Sequence, residues 1–268
     1  MLPSATTRGS SSVQGPLWDR HALDWSTIQE PQSRALYDIL LKALSLTPET
    51  MLLDAGCGSG LFCEHAVQKG AGVMGLDASE GLLDLARQRT PRAAFFQGEM
   101  EELPFVDLTF DVVTLINSLH NVTDPLRALK EARRALRPGG RVAVAAWARP
   151  EHCQIAKFFS ALDELLPVES PNTPAAFAYS TDGALSRLVA KAGFTKLIET
   201  SALTSWTYPD EDTALRGLLS YAAAVQALDC AGEERVREAT RKFLRPFRLP
   251  RGGFRFDNTF RYLIAQRH

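Results

Sequence analysis

The residues MLLDAGCGSGLF, at positions 51–62, form an apolar run that ends in Asp54 and then a turn with glycine at every second position from Gly56 to Gly60. Such a run followed at once by glycines predicts a β-strand that turns directly into a helix. Glycine adopts positive φ and lets the backbone approach a ligand closely, and the first amides of the following helix face the same space. The segment therefore predicts a site for a nucleotide-like cofactor, with an ordinary tight turn as the alternative.

A second apolar run, GVMGLDAS, ends in Asp77, which lies about twenty residues beyond the glycines. In nucleotide-binding α/β units an acid at this place accepts hydrogen bonds from the hydroxyls of a ribose. The alternative for Asp77 is the N-cap of the next helix, a role that Ser79 could fill instead. The two runs together predict a β-α-β unit whose cofactor carries a ribose.

The glycine spacing argues against a nicotinamide dehydrogenase. Leu61 stands where a dinucleotide-binding sequence has its third glycine, which serves helix packing and the approach of the pyrophosphate. Asp54, close before the glycines, would repel a phosphate at short range and attract a cationic group. The sequence therefore favours a nucleoside-like cofactor with a cationic end.

Five segments, taken in order, resemble the successive motifs of the class I S-adenosylmethionine-dependent methyltransferases. The resemblance is strongest to the broad group that includes the ubiquinone and menaquinone biosynthesis methyltransferases, and it covers about residues 34–148. It implies S-adenosylmethionine as the cofactor, in a Rossmann-like α/β fold. The five segments are LLDAGCGSG, GLDAS, GEMEELPF, FDVVTLINSLHNVTDP and ALRPGGRVAVAAW.

At the methionine end of the cofactor, the resemblance implies a floor made of Asp54, Gly56 and Gly58. It assigns the ribose to Asp77. It also implies that Asn117, at the end of the fourth predicted strand, offers its backbone carbonyl to the methionine amino group.

At the adenine end, the resemblance implies that Ala78 and Leu82 flank the ring. Glu99 is the acid that meets the adenine amino group, through its side chain or nearby backbone, and Met100 packs on the ring. Many relatives carry aspartate in place of Glu99, so the side chain is longer here by one methylene.

Methyl transfer from a sulfonium is an in-line displacement, to which a protein contributes alignment, desolvation and, for some acceptors, removal of a proton. His120 follows the fourth predicted strand and is the candidate catalytic base, because imidazole titrates near neutrality. The alternative is that His120 and Asn121 only shape a loop. His21 and His152 are weaker candidates.

Apolar runs near 51, 72, 93, 110 and 141 alternate with helical patterns, which predicts a parallel sheet covered on both faces. Two later runs, near 195–203 and 255–266, complete a doubly wound, mostly parallel sheet of seven strands. The segments left over, together with the N-terminal segment, are expected to form a helical lid over the ligand crevice. The predicted boundaries are a disordered tail at 1–16, a methyltransferase domain at 17–268, and lid insertions at about 149–180 and 207–252.

The charges of the chain nearly cancel, with 30 Lys and Arg against 31 Asp and Glu in 268 residues. No global positive field favours a nucleic-acid partner. The 4 cysteines lack C-x-x-C pairing and histidines at ligand spacing, so neither a metal site nor a disulfide framework is predicted. No stretch is long and apolar enough to span a membrane, and no signal peptide is recognisable. We therefore expect a cytoplasmic protein, with an N-terminal transit peptide as the alternative.

The combined interpretation is an enzyme that moves a methyl group from S-adenosylmethionine to an oxygen, nitrogen or carbon nucleophile of a small metabolite. Aromatic residues concentrate in the N-terminal segment and the insertions, which favours an apolar or aromatic acceptor. One alternative is a protein of the same fold that uses the pocket for a cyclisation or for regulation. A nicotinamide oxidoreductase is a less favoured one, and a homodimer stays open.

Overall fold

The computed structural model describes residues 9–167 and 176–268, and these residues contain one seven-stranded sheet. The strand order is β3-β2-β1-β4-β5-β7-β6; the first five strands are parallel, and β7 runs antiparallel to both of its neighbours. The predicted doubly wound, mostly parallel sheet is therefore confirmed. The strands are β1 (Met51–Ala55), β2 (Gly72–Asp77), β3 (Ala94–Gln97), β4 (Phe110–Ile116), β5 (Leu136–Trp147), β6 (Phe194–Tyr208) and β7 (Phe254–Arg267).

Helices cover both faces of this sheet because its central strands are apolar on both sides. Leu52 packs into a core with α3 and α4, whereas the next residue, Leu53, packs into a second core with α6 and α8. Successive side chains of a strand point to opposite faces, so each apolar run serves two helical layers. The helices of the two layers are α3 (Arg34–Leu44), α4 (Leu61–Gln68), α5 (Glu80–Arg89), α6 (Pro125–Ala135) and α8 (Ala184–Lys191).

The remaining helices pack together beyond the carboxyl ends of the strands. An N-terminal segment, which also contains a π-helical turn at Trp25–Gln29 and a 3-10 turn at Glu30–Ser33, meets helices that come after β5 and β6. Trp18, Trp25 and Tyr221 join the two parts, with ring centroids 4.7 to 6.2 Å apart. These helices are α1 (Ser11–Asp19), α2 (Ala22–Asp24), α7 (Ala156–Asp163), α9 (Glu211–Leu219), α10 (Ala222–Ala231) and α11 (Glu233–Leu244).

The predicted disordered tail is wrong for residues 11–16, which belong to α1. No side chain of α1 caps its own first turn. Instead the backbone amides of Ser10 and Ser11 donate to the carboxylates of Glu101 and Glu99, at 3.2 and 2.8 Å. Because these partners are about ninety residues away in sequence, the local composition does not reveal the helix. Residues 1–8, and residues 168–175 of the first predicted insertion, lie outside the described residues.

No helix in residues 9–167 or 176–268 combines the length and the apolar character that crossing a membrane requires.

Candidate active site

A cavity of about 1000 Å³, counting the space at its open mouth, lies where β1, β2 and β4 end. In open α/β sheets this is the ligand crevice, because the connections from β1 and β4 leave in opposite directions and open a gap. Every residue that the sequence assigned to the cofactor or to catalysis lines this one cavity. They are Asp54, Gly56, Gly58, Asp77, Ala78, Leu82, Glu99, Met100, Asn117 and His120.

The glycine turn brings backbone close to the cavity. Gly56 and Gly58 have φ of +79° and +56°, and a Cβ on Gly56 would lie 2.4 Å from the Cβ of Ser118. The backbone amides of residues 56–60 each already have an acceptor within the protein, whereas the expectation for the first amides of the following helix stays a prediction. The acceptors are Leu76 O for Gly56 and Cys57, Asp77 Oδ2 for Gly58, Glu30 Oε1 for Ser59 and Cys57 O for Gly60.

Asp54 ends β1 as a carboxyl group that is only 2% exposed. The hydroxyl of Thr114 donates to it at 2.6 Å and the thiol of Cys63 at 3.6 Å. Burial raises the pKa of Asp54 from 3.8 to about 7. A cation brought into the cavity would favour its ionised form, because the two charges interact in a place with little water.

Asp77 holds the glycine turn in place. It accepts hydrogen bonds from the amides of Gly58 at 2.8 Å and Ser79 at 3.0 Å. Burial raises its pKa above the usual range. The N-cap of α5 is Ser79, whose Oγ accepts from Leu82 N at 3.0 Å. Since Ser79 caps the helix, the carboxylate of Asp77 keeps lone pairs for a ribose, which stays a prediction.

Glu99 makes contacts that the sequence did not indicate. Its carboxylate accepts from Ser11 N at 2.8 Å and from Glu101 N at 3.2 Å, so it anchors the start of α1. Burial opposes ionisation of Glu99, but these hydrogen bonds outweigh it and hold its pKa below the usual range. Glu99 and Met100 border the cavity as expected, and their contact with adenine stays a prediction.

His120 and Asn117 present buried polar atoms without partners in the described structure, the ring Nδ1 of His120 and the side-chain Oδ1 of Asn117. Asn117 also has φ of +54°, a left-handed conformation that is unusual for a residue with a side chain. Burial lowers the pKa of His120 to about 4. The argument that His120 titrates near neutrality is therefore wrong, since the ring is neutral at pH 7, and its catalytic role stays a prediction.

The part of the chain before β1 also supplies residues that line the cavity. Trp25, Glu30, Ser33 and Tyr37 all line the cavity, and Glu30 is 2% exposed. A pairing of Glu30 with Arg89, at N···O separation 2.5 Å, offsets its charge. The sequence analysis expected aromatic residues of this part of the chain in a lid, but no local signal identified Glu30, because its partners Ser59 and Arg89 lie far along the chain.

The charges of the lining suit a cationic ligand. Glu30, Asp54, Asp77 and Glu99 line the cavity, and no Lys or Arg among the described residues does so. S-adenosylmethionine carries a sulfonium and an ammonium, which such a lining attracts. The partnerless Oδ1 of Asn117 is a ready acceptor for an ammonium donor. The residues present therefore fit this cofactor at its cationic end.

Comparison with known proteins agrees with this geometry. The family model described as a methyltransferase domain matches residues 53–144. A demethylmenaquinone methyltransferase of Renibacterium salmoninarum is 32% identical over 152 residues, 55% of this chain and 64% of the relative. One of Streptomyces griseus is 30% identical over 178 residues, 62% of this chain and 77% of the relative. The chain thus spans just under two thirds of the Renibacterium relative.

The same fold occurs in a solved methyltransferase of Thermotoga maritima, with TM-score 0.57 and 20% identity. That comparison covers 95% of this chain and 100% of the other.

The sheet is doubly wound, and the crevice at the ends of β1, β2 and β4 is acidic and lined by glycines. These features define the class of α/β proteins that bind a nucleoside cofactor with a cationic end. With the relatives found, the chain belongs to the class I S-adenosylmethionine-dependent methyltransferases, in the group that includes the quinone biosynthesis enzymes. The cofactor of this family is S-adenosylmethionine.

Proposed function

We propose that this protein transfers the methyl group of S-adenosylmethionine to a small, neutral, aromatic acceptor of the quinol class. The observation that carries the proposal is a second cavity, of about 1110 Å³ with its open mouth, that adjoins the first. The cofactor supplies an electrophilic methyl group, and the second cavity is where an acceptor would approach it. The residues that line both cavities are Gln14, Trp18, His120, Asn121 and Tyr221.

The second cavity is built to hold a ring. Phe159 and Phe177 line it with centroids 6.2 Å apart and ring planes at 74°, and Tyr221 lies 5.4 Å from Phe159. Edge and face contacts of this kind favour a planar aromatic guest. Small side chains leave space between these rings. They are Ala156, Ala176, Ala222 and Ala223.

The charges of the second cavity favour an uncharged acceptor. Within the described ranges neither Lys nor Arg lines it, and the one ionisable acid is Asp163. Burial raises the pKa of Asp163. An anionic acceptor would find no cation here, whereas a quinol hydroxyl finds polar partners. The demethylmenaquinone methyltransferases among the relatives support the quinol class by analogy.

His120 lies at the junction of the two cavities, and its Nδ1 has no partner among residues 9–167 and 176–268. A neutral imidazole accepts a hydrogen bond from a hydroxyl and makes that oxygen, or the ring carbon conjugated with it, more nucleophilic. Because burial keeps the ring neutral at pH 7, this acceptor role needs no prior loss of a proton. His120 is therefore the residue that we assign to the acceptor hydroxyl.

The direct test is an assay with S-adenosylmethionine deuterated at its methyl group, read by mass spectrometry. The acceptors are a reduced 1,4-naphthoquinone with a short prenyl chain and its 2-carboxylate analogue without that chain. We expect the deuterated methyl group on the neutral quinol and far less on the carboxylate. Preference for the carboxylate, or failure with both while S-adenosylhomocysteine still binds, would contradict the proposal.

Two neighbouring phenylalanines provide a matched pair of variants. Phe159 lines the second cavity, whereas Phe158 is buried against Phe243 and lines neither cavity. Phe159→Leu should raise the acceptor KM about fivefold, the equivalent of about 1 kcal/mol of aromatic contact. Phe158→Leu removes a ring that touches the cavity only through Phe159 and Tyr221, so in the folded protein it should change that KM less than Phe159→Leu does. Equal effects of the two variants would show that the cavity does not hold the acceptor.

A further inference from the structure

The methionine end of the cofactor carries a carboxylate besides its ammonium, and the first cavity offers that carboxylate no cationic side chain among its described lining residues. A carboxylate taken out of water needs hydrogen-bond donors, or its removal from solvent is strongly unfavourable. Helix N-termini and glycine turns often provide such donors. Here the amides from Gly56 to Gly60 already donate within the protein.

A side chain of the N-terminal segment presents a donor at this place. The indole Nε1 of Trp25 is enclosed, has no acceptor in the described structure, and belongs to the lining of the first cavity. A Cβ built on Gly58 would lie 3.3 Å from Trp25 Nε1. Trp25 Nε1 therefore lies beside Gly58 of the glycine turn, at the expected methionine end.

The surroundings fix the indole ring in this position. Trp18 and Tyr221 meet it edge-on, with centroids at 4.7 and 5.3 Å. Glu30, which also borders Gly58, accepts from Ser59 N at 3.1 Å and pairs with Arg89. Because Arg89 offsets the charge of Glu30, an anion beside Trp25 is not strongly repelled from that side.

A buried indole N–H without an acceptor is unfavourable, and buried tryptophans in proteins normally have a partner for it. We propose that Trp25 Nε1–H donates a hydrogen bond to the carboxylate of the bound cofactor, and that Trp25 is the residue that recognises the amino-acid end of the ligand. This inference rests on the cofactor and not on the identity of the methyl acceptor.

The test compares two ligands that differ only in the carboxylate, S-adenosylhomocysteine and its decarboxylated analogue, by calorimetric titration without acceptor. Trp25→Phe keeps an aromatic ring and removes the donor. We expect it to weaken S-adenosylhomocysteine binding about 10-fold to 100-fold, as for a hydrogen bond to a charged group. The decarboxylated analogue should bind wild type and variant alike, within about twofold.

Trp18→Phe is the matched control. Trp18 packs on Trp25 in the same segment, but its Nε1 already donates to Gln14 Oε1 at 3.3 Å. Its loss should change the affinities of the two ligands by the same factor, whatever that factor is. An equal loss for both ligands in Trp25→Phe would assign Trp25 to packing alone and overturn the proposal.

A measurement on the wild type guards against misfolding of the variants. The chain has 4 tryptophans, so a ¹H–¹⁵N spectrum contains few indole signals, and proximity of the indole proton to Gly58 identifies Trp25 in the wild type itself. S-adenosylhomocysteine should move this signal downfield, and the decarboxylated analogue should not. An unmoved signal with bound S-adenosylhomocysteine contradicts the proposal. If the wild type binds no S-adenosylhomocysteine, the cofactor assignment fails with it, whereas failure of every acceptor leaves the Trp25 result intact.

Discussion

Replacing Asp54 by asparagine should change how the stability of the cofactor-free protein depends on pH. Burial raises the pKa of Asp54 from 3.8 to about 7. Between these values the folded protein keeps a proton that the unfolded chain has lost. The stability associated with this proton is fully present below about pH 4 and is lost as the pH rises through about 7.

The magnitude follows from the shift of the pKa. Each pH unit inside the interval lowers the free energy of unfolding by about 1.4 kcal/mol, and the fall stops above about pH 7. Between pH 5 and pH 8 the loss from Asp54 is therefore about 2 to 3 kcal/mol. Glu30 and Asp77 share the cavity and also have pKa values raised by burial. Taking the difference between wild type and Asp54→Asn removes most of their contribution.

The assay is urea denaturation of both proteins at pH 5, 6, 7 and 8 without cofactor. We expect the free energy of unfolding of the wild type, relative to Asp54→Asn, to fall by the amount above. Glu164→Gln, at an exposed carboxylate directly after α7, is the control and should give no such trend. A wild-type-minus-variant difference that is constant across pH would show that Asp54 is ionised throughout and refute the reasoning.

Three further substitutions test other parts of the site. Asp77→Ala should weaken S-adenosylhomocysteine binding by about 1 to 3 kcal/mol; unchanged affinity in calorimetry would remove the ribose assignment. His120→Ala should slow turnover at saturating acceptor while cofactor affinity stays nearly intact, and normal turnover would make His120 structural. The wild-type kcat should show no inflection near pH 6.5, because burial lowers the pKa of His120 to about 4. Arg89→Met leaves Glu30 buried without its cation and should lower the free energy of unfolding at pH 7 by about 3 kcal/mol. That loss should shrink as the pH falls, because burial raises the pKa of Glu30 and a protonated Glu30 needs no cation. Glu30→Gln should rescue part of the loss, and urea denaturation that shows no loss would mean that the pair is not needed.

The fold and the floor of the site were predictable because their signals are local. The apolar runs of β1 and β4 are buried on both faces, the glycine turn follows β1 directly, and Asp77 is the last residue of β2. A parallel arrangement brings the ends of those strands to one edge of the sheet. For this reason residues scattered from Asp54 to His120 meet in one cavity.

The roof of the site consists of the cavity-lining residues from the N-terminal segment and from the helices after β5 and β6. It was not predictable by the same means. Glu30 accepts hydrogen bonds from Ser59 and Arg89, which lie 29 and 59 residues away in sequence. The start of α1 donates to Glu99, which lies 88 residues away. Contacts between residues so far apart in sequence depend on the folded sheet, so the local sequence does not predict them. The pKa of His120 was misjudged for a related reason, since burial, which the local sequence does not show, sets it.

The division between floor and roof has a functional consequence. The family model covers residues 53–144, which contain the acids and glycines of the floor, while Trp25, Phe159 and Phe177 lie outside it. In our proposal the floor contacts the cofactor through hydrogen bonds with fixed geometry, so substitutions there should disturb the common step. The roof surrounds the proposed acceptor with rings and alanines, whose contacts depend on shape and area more than on direction. Acceptor choice can therefore change through the roof while the floor stays the same. Trp25 links the two parts, because it packs on Trp18 and Tyr221, which line both cavities, and, as we infer, also binds the cofactor.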